Sequence, residues 1–211
     1  MKVLIVTGTY APDTGGIAAL IRGFAAGLVH EGVGVHVLAA APGASRFSQP
    51  TLPVTEFHLP QHGYLRRVSA CRKAVSQIAD VWPFERVIAA SWSPYAVAAA
   101  FRVSSRQPAW DIFCYGMDLM EPQRSIRYRL LMRQTLRRAD TVMAISRFTA
   151  DLARRAGALA GSIVLLPPGV DSNRFVPGAR DQTLLARLGI AADAPVLLSV
   201  GRLVERKGFD M

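Results

Sequence analysis

The chain has 211 residues, 51% of them hydrophobic and 19% charged, which supports a sizeable core and argues against a disordered tail. Its formal charge of +10, from 25 Lys and Arg against 15 Asp and Glu, favours anionic partners or surfaces but selects no fold. No apolar run approaches the ~20 residues that span a bilayer, and Cys71 and Cys114 lack metal-ligand spacing, so they read as buried thiols of a reducing cytoplasm.

Residues 2–7 form a continuous apolar run, as a strand buried on both faces should. A polar Pro/Gly loop follows it with no cleavage pattern, so it reads as a first strand and not as a signal peptide. Ile17, Leu20, Ile21, Phe24 and Leu28 recur at helical spacing over 17–30, and Glu31 and Gly32 end that helix. Strands are expected at 33–40 and 54–59, then a helix at 64–81 stopped by Pro83. The pattern continues with strand 86–91, helix 95–103, strand 110–115 and helix 121–138, the last with Pro122 in its first turn. Strand 141–145, helix 147–156 closed by Gly157, and strand 162–166 complete the alternation. Strands and helices alternating in this way predict an α/β fold, a Rossmann-like parallel sheet with helices on both faces. A Pro/Gly/Asp-rich stretch breaks the rhythm from 167 to 194. One further strand is expected at 195–200, without an evident partner, and too little chain follows it for a complete βαβ unit of about 30 residues.

The loop after the first strand carries Asp13, Gly15 and Gly16 ahead of a helix. Paired glycines there either make a tight turn or let the backbone approach an anionic ligand at free N–H groups. Neither the dinucleotide fingerprint nor the P-loop is present, and the absent fingerprint argues against a third reading, a nicotinamide-dependent oxidoreductase. Tyr115, Gly116 and Asp118 follow the fifth strand at the carboxyl edge, where open α/β sheets bind ligands, although Asp118 also suits a helix cap. Ser146 is placed as an N-cap. The Pro167-Pro168-Gly169 turn suits a hinge or a long surface loop. Arg202 and Lys207 flank a glycine turn after the last strand. They are either ordinary surface cations or a pair suited to stabilising a diphosphate leaving group, an effect of about 2.7–4 kcal/mol per well-placed donor. Basic residues concentrate at Arg66, Arg67, Arg72 and Lys73, and again at Arg124, Arg127, Arg129, Arg133, Arg137 and Arg138. That density fits a solvated basic face or docking on anionic lipid; no recognised nucleic-acid module accompanies it.

Three segments, in order, resemble glycosyltransferase family 4. They are Ala139, Asp140, Val142, Ser146 and Thr149; Pro167, Gly169, Val170, Asp171, Phe175 and Pro177; and Val200, Gly201, Arg202, Leu203, Lys207, Gly208 and Asp210. The glycine pair after Pro12 matches the family's first loop. The resemblance implies the retaining GT-B architecture, two Rossmann-like domains around a cleft. It places the acceptor-side domain at 1–178, a linker at 179–194 and the opening of a donor-binding domain at 195–211. It implies hexosyl transfer from a nucleoside-diphosphate sugar to a glycan or lipid acceptor, without metal or other cofactor, in the cytoplasm or at the inner face of the membrane. Gly15 and Gly16 would approach donor phosphate or acceptor, and Arg202 and Lys207 would bind the diphosphate and assist its departure. Two departures from the pattern stand out. Tyr115 occupies the place of a frequent family histidine, so it can donate a hydrogen bond to the sugar but cannot do histidine chemistry. The family's pair of glutamates eight positions apart, which grips the donor, is absent. The 211-residue chain is therefore expected to be inactive alone, as part of a longer or split enzyme; the alternative is a non-catalytic acceptor-binding or partner module.

Overall fold

The computed structural model describes residues 1–99, 108–120, 125–201 and 203–209, and these divide into two units, Met1–Gly169 and Val170–Met211. The first unit is a seven-stranded sheet in which every pairing is parallel. Its strands are β1 Lys2–Thr7, β2 Gly34–Ala39, β3 Val54–Glu56, β4 Arg86–Ala89, β5 Ala109–Cys114, β6 Thr141–Ala144 and β7 Ile163–Leu165. The spatial order is β3-β2-β1-β4-β5-β6-β7, so the direction of winding reverses between β1 and β4. Strands on both sides of β1 pair with it, and its side chains enter two cores, Leu4 and Val6 on one face and Val3 and Ile5 on the other, so neither face is polar.

Alternation along the strands splits the core in two. Leu4, Val6, Leu38, Val87, Ile112 and Val142 face one side and meet helices α2 Tyr64–Val81, α5 Ile126–Arg138 and α6 Arg147–Ala156. Val3, Ile5, Val35, Val37, Ile88 and Phe113 face the other and meet α1 Gly16–His30 through Ile21 and Ala25. Helix α2 buries Val68, Cys71, Val75 and Ile78, a stripe at steps of three and four that presents one face to the sheet. Helix α6 starts at Ser146, whose Oγ accepts the Thr149 N–H at 3.1 Å, and ends at Gly157 in the left-handed region. A Cβ at Gly157 would come within 2.5 Å of Arg133 Cγ, so this glycine also lets α5 and α6 pack closely.

Several boundaries differ from the sequence expectation. The strands expected at 54–59, 86–91 and 162–166 are shorter, because the parallel ladder ends and the chain turns away to form the loops of the carboxyl edge. In place of a helix over 95–103, a wide turn Trp92–Ala96 leads into the short α3 Val97–Ala99; the rest of that expectation lies outside the described residues. The helix expected at 121–138 begins at Ile126 after Ser125, and residues 121–124 lie outside the description. A short helix α4, Met117–Met120, precedes it.

Among its described residues the second unit holds one α-helix, α7 Gln182–Arg187, in which Asp181 Oδ1 accepts the Leu184 N–H at 3.0 Å, and one 3-10 turn, Glu205–Lys207. It falls in the stretch read as linker. The strand expected at 195–200 does not form: no described strand pairs with this run, and Leu197, Leu198 and Val200 stand exposed. No described residue from 170 onward is buried.

Candidate functional site

The reversal point between β1 and β4 opens a crevice at the carboxyl ends of the strands, and the loops after β1, β4, β5 and β6 surround this edge. In the loop after β1, Asp13 Oδ1 accepts the Gly15 N–H at 2.8 Å. That bond satisfies one donor of the α1 entry, which has no side-chain cap and no acid in its first turn. An anion approaching Gly15 must therefore displace the Asp13 carboxylate. Gly16 is open, since a Cβ there would meet nothing within 4 Å. Beside this loop lies a cavity of about 290 Å³ lined by Ala11, Pro12, Asp13, Thr14, Ala18, Ala19, Arg22 and Phe47.

The loop after β5 is far more enclosed. Tyr115 stacks on Phe113 with ring centroids 6.1 Å apart, and its hydroxyl is buried without a partner among the described residues. Burial pushes the phenol well above the ordinary tyrosine range, and Asp118 and then Cys114 push the same way. At neutral pH the Tyr115 phenol thus keeps its proton and is free to donate a hydrogen bond. Asp118 Oδ1 accepts the Tyr115 N–H at 2.9 Å, whereas Oδ2 is buried and has no hydrogen-bond partner among the described residues. Its carboxyl is pushed up to about 6 by burial, against the pull of the backbone amides of Tyr115, Gly116, Asp118 and Leu119. Asp118 therefore reaches back to fold its own loop, where a forward helix cap was the simpler expectation. Gly116 has φ +101, a conformation a side chain rarely adopts, and faces Thr149 Oγ1. Trp92 Nε1 donates to Asp118 O at 2.7 Å and ties the loop after β4 to this one.

Asp13, Gly15 and Gly16 thus follow β1, and Tyr115, Gly116 and Asp118 follow β5, with β4 between the two strands. Lys207 belongs to the second unit, exposed at the end of the turn Glu205–Lys207, and Arg202 lies outside the described residues. Sequence reasoning passed over Tyr64, Ser93 and Tyr95 and read Arg67 only as part of a basic face; these residues lie beside the reversal point. The available signal was the i, i+3 pair Tyr64 and Arg67 ahead of the buried stripe of α2. Among the described residues no group of three His, Cys, Asp or Glu side chains could hold a metal ion, and no helix is long and apolar enough to cross a membrane. Both thiols are free and buried, and burial pushes that of Cys71 up to about 12 and that of Cys114 well above its ordinary value.

Comparison with known proteins agrees with this geometry. Residues 15–169 match the glycosyl transferase 4-like domain. The chain is 27% identical over 222 aligned residues to a GDP-mannose-dependent α-(1-6)-phosphatidylinositol monomannoside mannosyltransferase of Mycobacterium tuberculosis, covering 99% of this chain and 55% of that protein. It is 38% identical over 95 residues to a D-inositol 3-phosphate glycosyltransferase of Nocardiopsis dassonvillei, covering 44% of this chain and 21% of the relative. Among solved structures, a sucrose-phosphate synthase from Thermosynechococcus elongatus shares the fold with a TM-score of 0.79 at 18% identity, over 98% of this chain and 57% of the other. Anabaena HepE, solved in complex with UDP and glucose, superposes with a TM-score of 0.65 at 21% identity, over 90% of this chain and 50% of its own. The chain thus spans about half the length, or less, of these relatives. With the domain match covering most of its residues and the reversal-point sheet beneath it, the chain belongs to the glycosyl transferase 4-like family.

Proposed function

We propose that this chain is the acceptor-side half of a retaining GT-B glycosyltransferase that moves a hexose from a nucleoside-diphosphate sugar to a glycan or lipid acceptor. The observation that carries the reading is the domain match over residues 15–169. Donor chemistry is supported by relatives whose descriptions name GDP-mannose and UDP. In this reading the acceptor lies along the carboxyl edge of the first unit, Tyr115 donates to a sugar hydroxyl, and the uncapped start of α1 at Gly15 and Gly16 receives an anionic oxygen. Arg202 and Lys207 take the growing charge of the departing diphosphate, so no metal is needed. No described residue of the second unit is buried, and in this reading the 211-residue chain by itself is catalytically silent.

The basic helices support peripheral contact with an anionic membrane. The edge of Tyr64 meets Tyr128 at 5.3 Å between ring centroids, which joins the starts of α2 and α5. Exposed Leu65, Ile126 and Leu130 lie there among Arg66, Arg127 and Arg129. The test is radiolabelled transfer by the full gene product from GDP-mannose and UDP-glucose to phosphatidylinositol monomannoside and D-inositol 3-phosphate. Transfer is expected from one donor, falling at least about 100-fold in Arg202→Ala or Lys207→Ala. No transfer from either donor to either acceptor would remove the proposal. Sedimentation with anionic and neutral vesicles checks the membrane contact, and equal binding to both would refute it.

A further inference from the structure

The cavity between the loop after β1, the start of α1 and the chain after β2 has no role in the chemistry assigned above. Its apolar lining is small: Ala11 and Ala18, both buried, with Pro12 and Ala19. Phe47 completes it, at the end of the 3-10 turn Ala44–Phe47. Phe47 is 39% exposed, yet the turn that carries it is braced on both sides. Glu56 Oε1 accepts the Ser45 N–H at 2.8 Å and the Ser45 hydroxyl as well. Ser48 Oγ accepts the Val54 N–H at 3.0 Å. Gly43, at φ +81, opens the turn so near Pro12 that a Cβ on residue 43 would lie 3.7 Å from Pro12 Cδ. The polar lining is Asp13, Thr14 and Arg22. One Asp13 oxygen holds the Gly15 N–H, and neither Asp13 nor Arg22 enters an ion pair among the described residues.

An aromatic ring held in place beside alanines offers a flat apolar surface, and the carboxylate, hydroxyl and guanidinium offer acceptors and donors next to it. The lining is neutral in sum, and an anionic ligand drawn to Arg22 would meet the Asp13 charge. A volume of about 290 Å³ is small for a ligand pocket and suits a single substituted ring. A pyranose complements each of these features. Its C–H face suits the electron-rich face of Phe47, and each of its hydroxyls both donates and accepts. We propose that this cavity holds one uncharged pyranose unit of the acceptor, so that the transferred hexose is added to a molecule that already carries a sugar. Ala11 to Thr14 lead directly into Gly15 and Gly16, so a sugar bound here lies against the loop that borders the crevice. Its place in the acceptor rests on the glycosyltransferase reading; the sugar site itself rests on the cavity.

Amide NMR titration of the 211-residue chain with the methyl α-pyranosides of mannose, glucose and galactose, and with glucuronate, tests the site without any donor sugar. At least one methyl pyranoside is expected to shift the Ala19 and Phe47 signals, and glucuronate to bind more weakly than it does. Phe47→Leu, which keeps bulk but loses the ring, should weaken binding by about fivefold or more. Phe47→Tyr should retain it, and Arg22→Met should cost about tenfold. Arg155→Met, on exposed α6 surface, should leave binding unchanged. Phe47 and Arg22 are exposed, and the amide spectrum of each variant reports directly that it is folded. In the full gene product, Phe47→Leu should raise the KM for a sugar-bearing acceptor and leave the KM for the donor unchanged. No shift with any pyranoside, tighter binding of glucuronate, full affinity in the folded Phe47→Leu and Arg22→Met variants, or an unchanged acceptor KM would overturn the inference. Transfer by the full gene product to a sugar-free acceptor, with no pyranoside bound, would strike this site and keep the glycosyltransferase reading. Pyranoside binding without transfer from any donor would do the reverse.

Discussion

Residues 2–7 and 195–200 are both six-residue apolar runs, and they meet opposite fates. In β1, Val3, Leu4, Ile5 and Val6 are at most 1% exposed, and the backbone pairs with β2 on one side and β4 on the other. In the second unit, Leu197 is fully exposed, Leu198 is 83% exposed, and no ladder forms. Composition is nearly the same; the neighbours are not. A strand's amides and carbonyls need partners, and side chains lose water only when another layer covers them, so an apolar run becomes a strand through what lies beside it.

The sharpest way to break that contrast is to cut the same kind of side chain from each run. Ile5→Ala should destabilise the first unit by about 2–5 kcal/mol, while Leu198→Ala should stay within about 0.5 kcal/mol, both read from urea midpoints of the 211-residue chain. Similar shifts in the two variants would mean that residues 195–200 are covered in solution.

Burial acts on charge as well as on methyl groups, and Asp118 shows the size of that effect. Its folded carboxyl titrates near 6, above the unfolded value near 3.8, so its contribution is fully present below pH 3.8 and lost as pH rises through 6. The swing is on the order of 2–3 kcal/mol. His36 works in the opposite direction. Burial lowers its pKa below 6.5, so its contribution is present above 6.5 and lost as pH falls through the folded value. Asp118→Asn should therefore lose the decline in stability from pH 4 to 6 and expose the rise contributed by His36, measured as urea midpoints against pH. A variant that keeps the wild-type decline would show that Asp118 is solvated.

The smallest expected effect is at Gly16, which is exposed like the second unit but sits beside the site. Gly16→Ala places a methyl in open space within helix α1, and should stabilise by about 0.5–1 kcal/mol. If the backbone there must approach a ligand, transfer by the full gene product falls in this more stable variant; unchanged transfer would reduce the glycine to a turn residue.

The elements that sequence patterning located most closely are those whose ends are set by local chemistry. Strand 2–7, helix 64–81 and helix 147–156 appear with the expected bounds, because the polar loop after Thr7, the Pro83 stop, the Ser146 cap and Gly157 act within a few residues. The run 195–200 was misread because its fate depends on distant partners that periodicity cannot register. The glycine loop and the cluster after β5 were legible as candidates, since a glycine beside an acid at a strand's end is a short-range signal. The hidden state of Asp118 was not, because it follows from packing by several segments. Arg67 was read as part of a basic face, and its partial burial was missed for a related reason. Cations on an amphipathic helix usually face water, and its neighbours Ser93 and Tyr95 lie more than twenty positions along the chain and meet it only through the sheet.

The indole of Trp92 is almost wholly buried, yet its nitrogen is hydrogen-bonded across the carboxyl edge to the loop that carries Tyr115 and Asp118. Indole emission responds to that bond and to nearby charge. With Trp82 and Trp110 replaced by phenylalanine, the molecule carries one built-in optical gauge at the place where ligands of such sheets arrive, and occupancy can be followed as a change of colour without any added label.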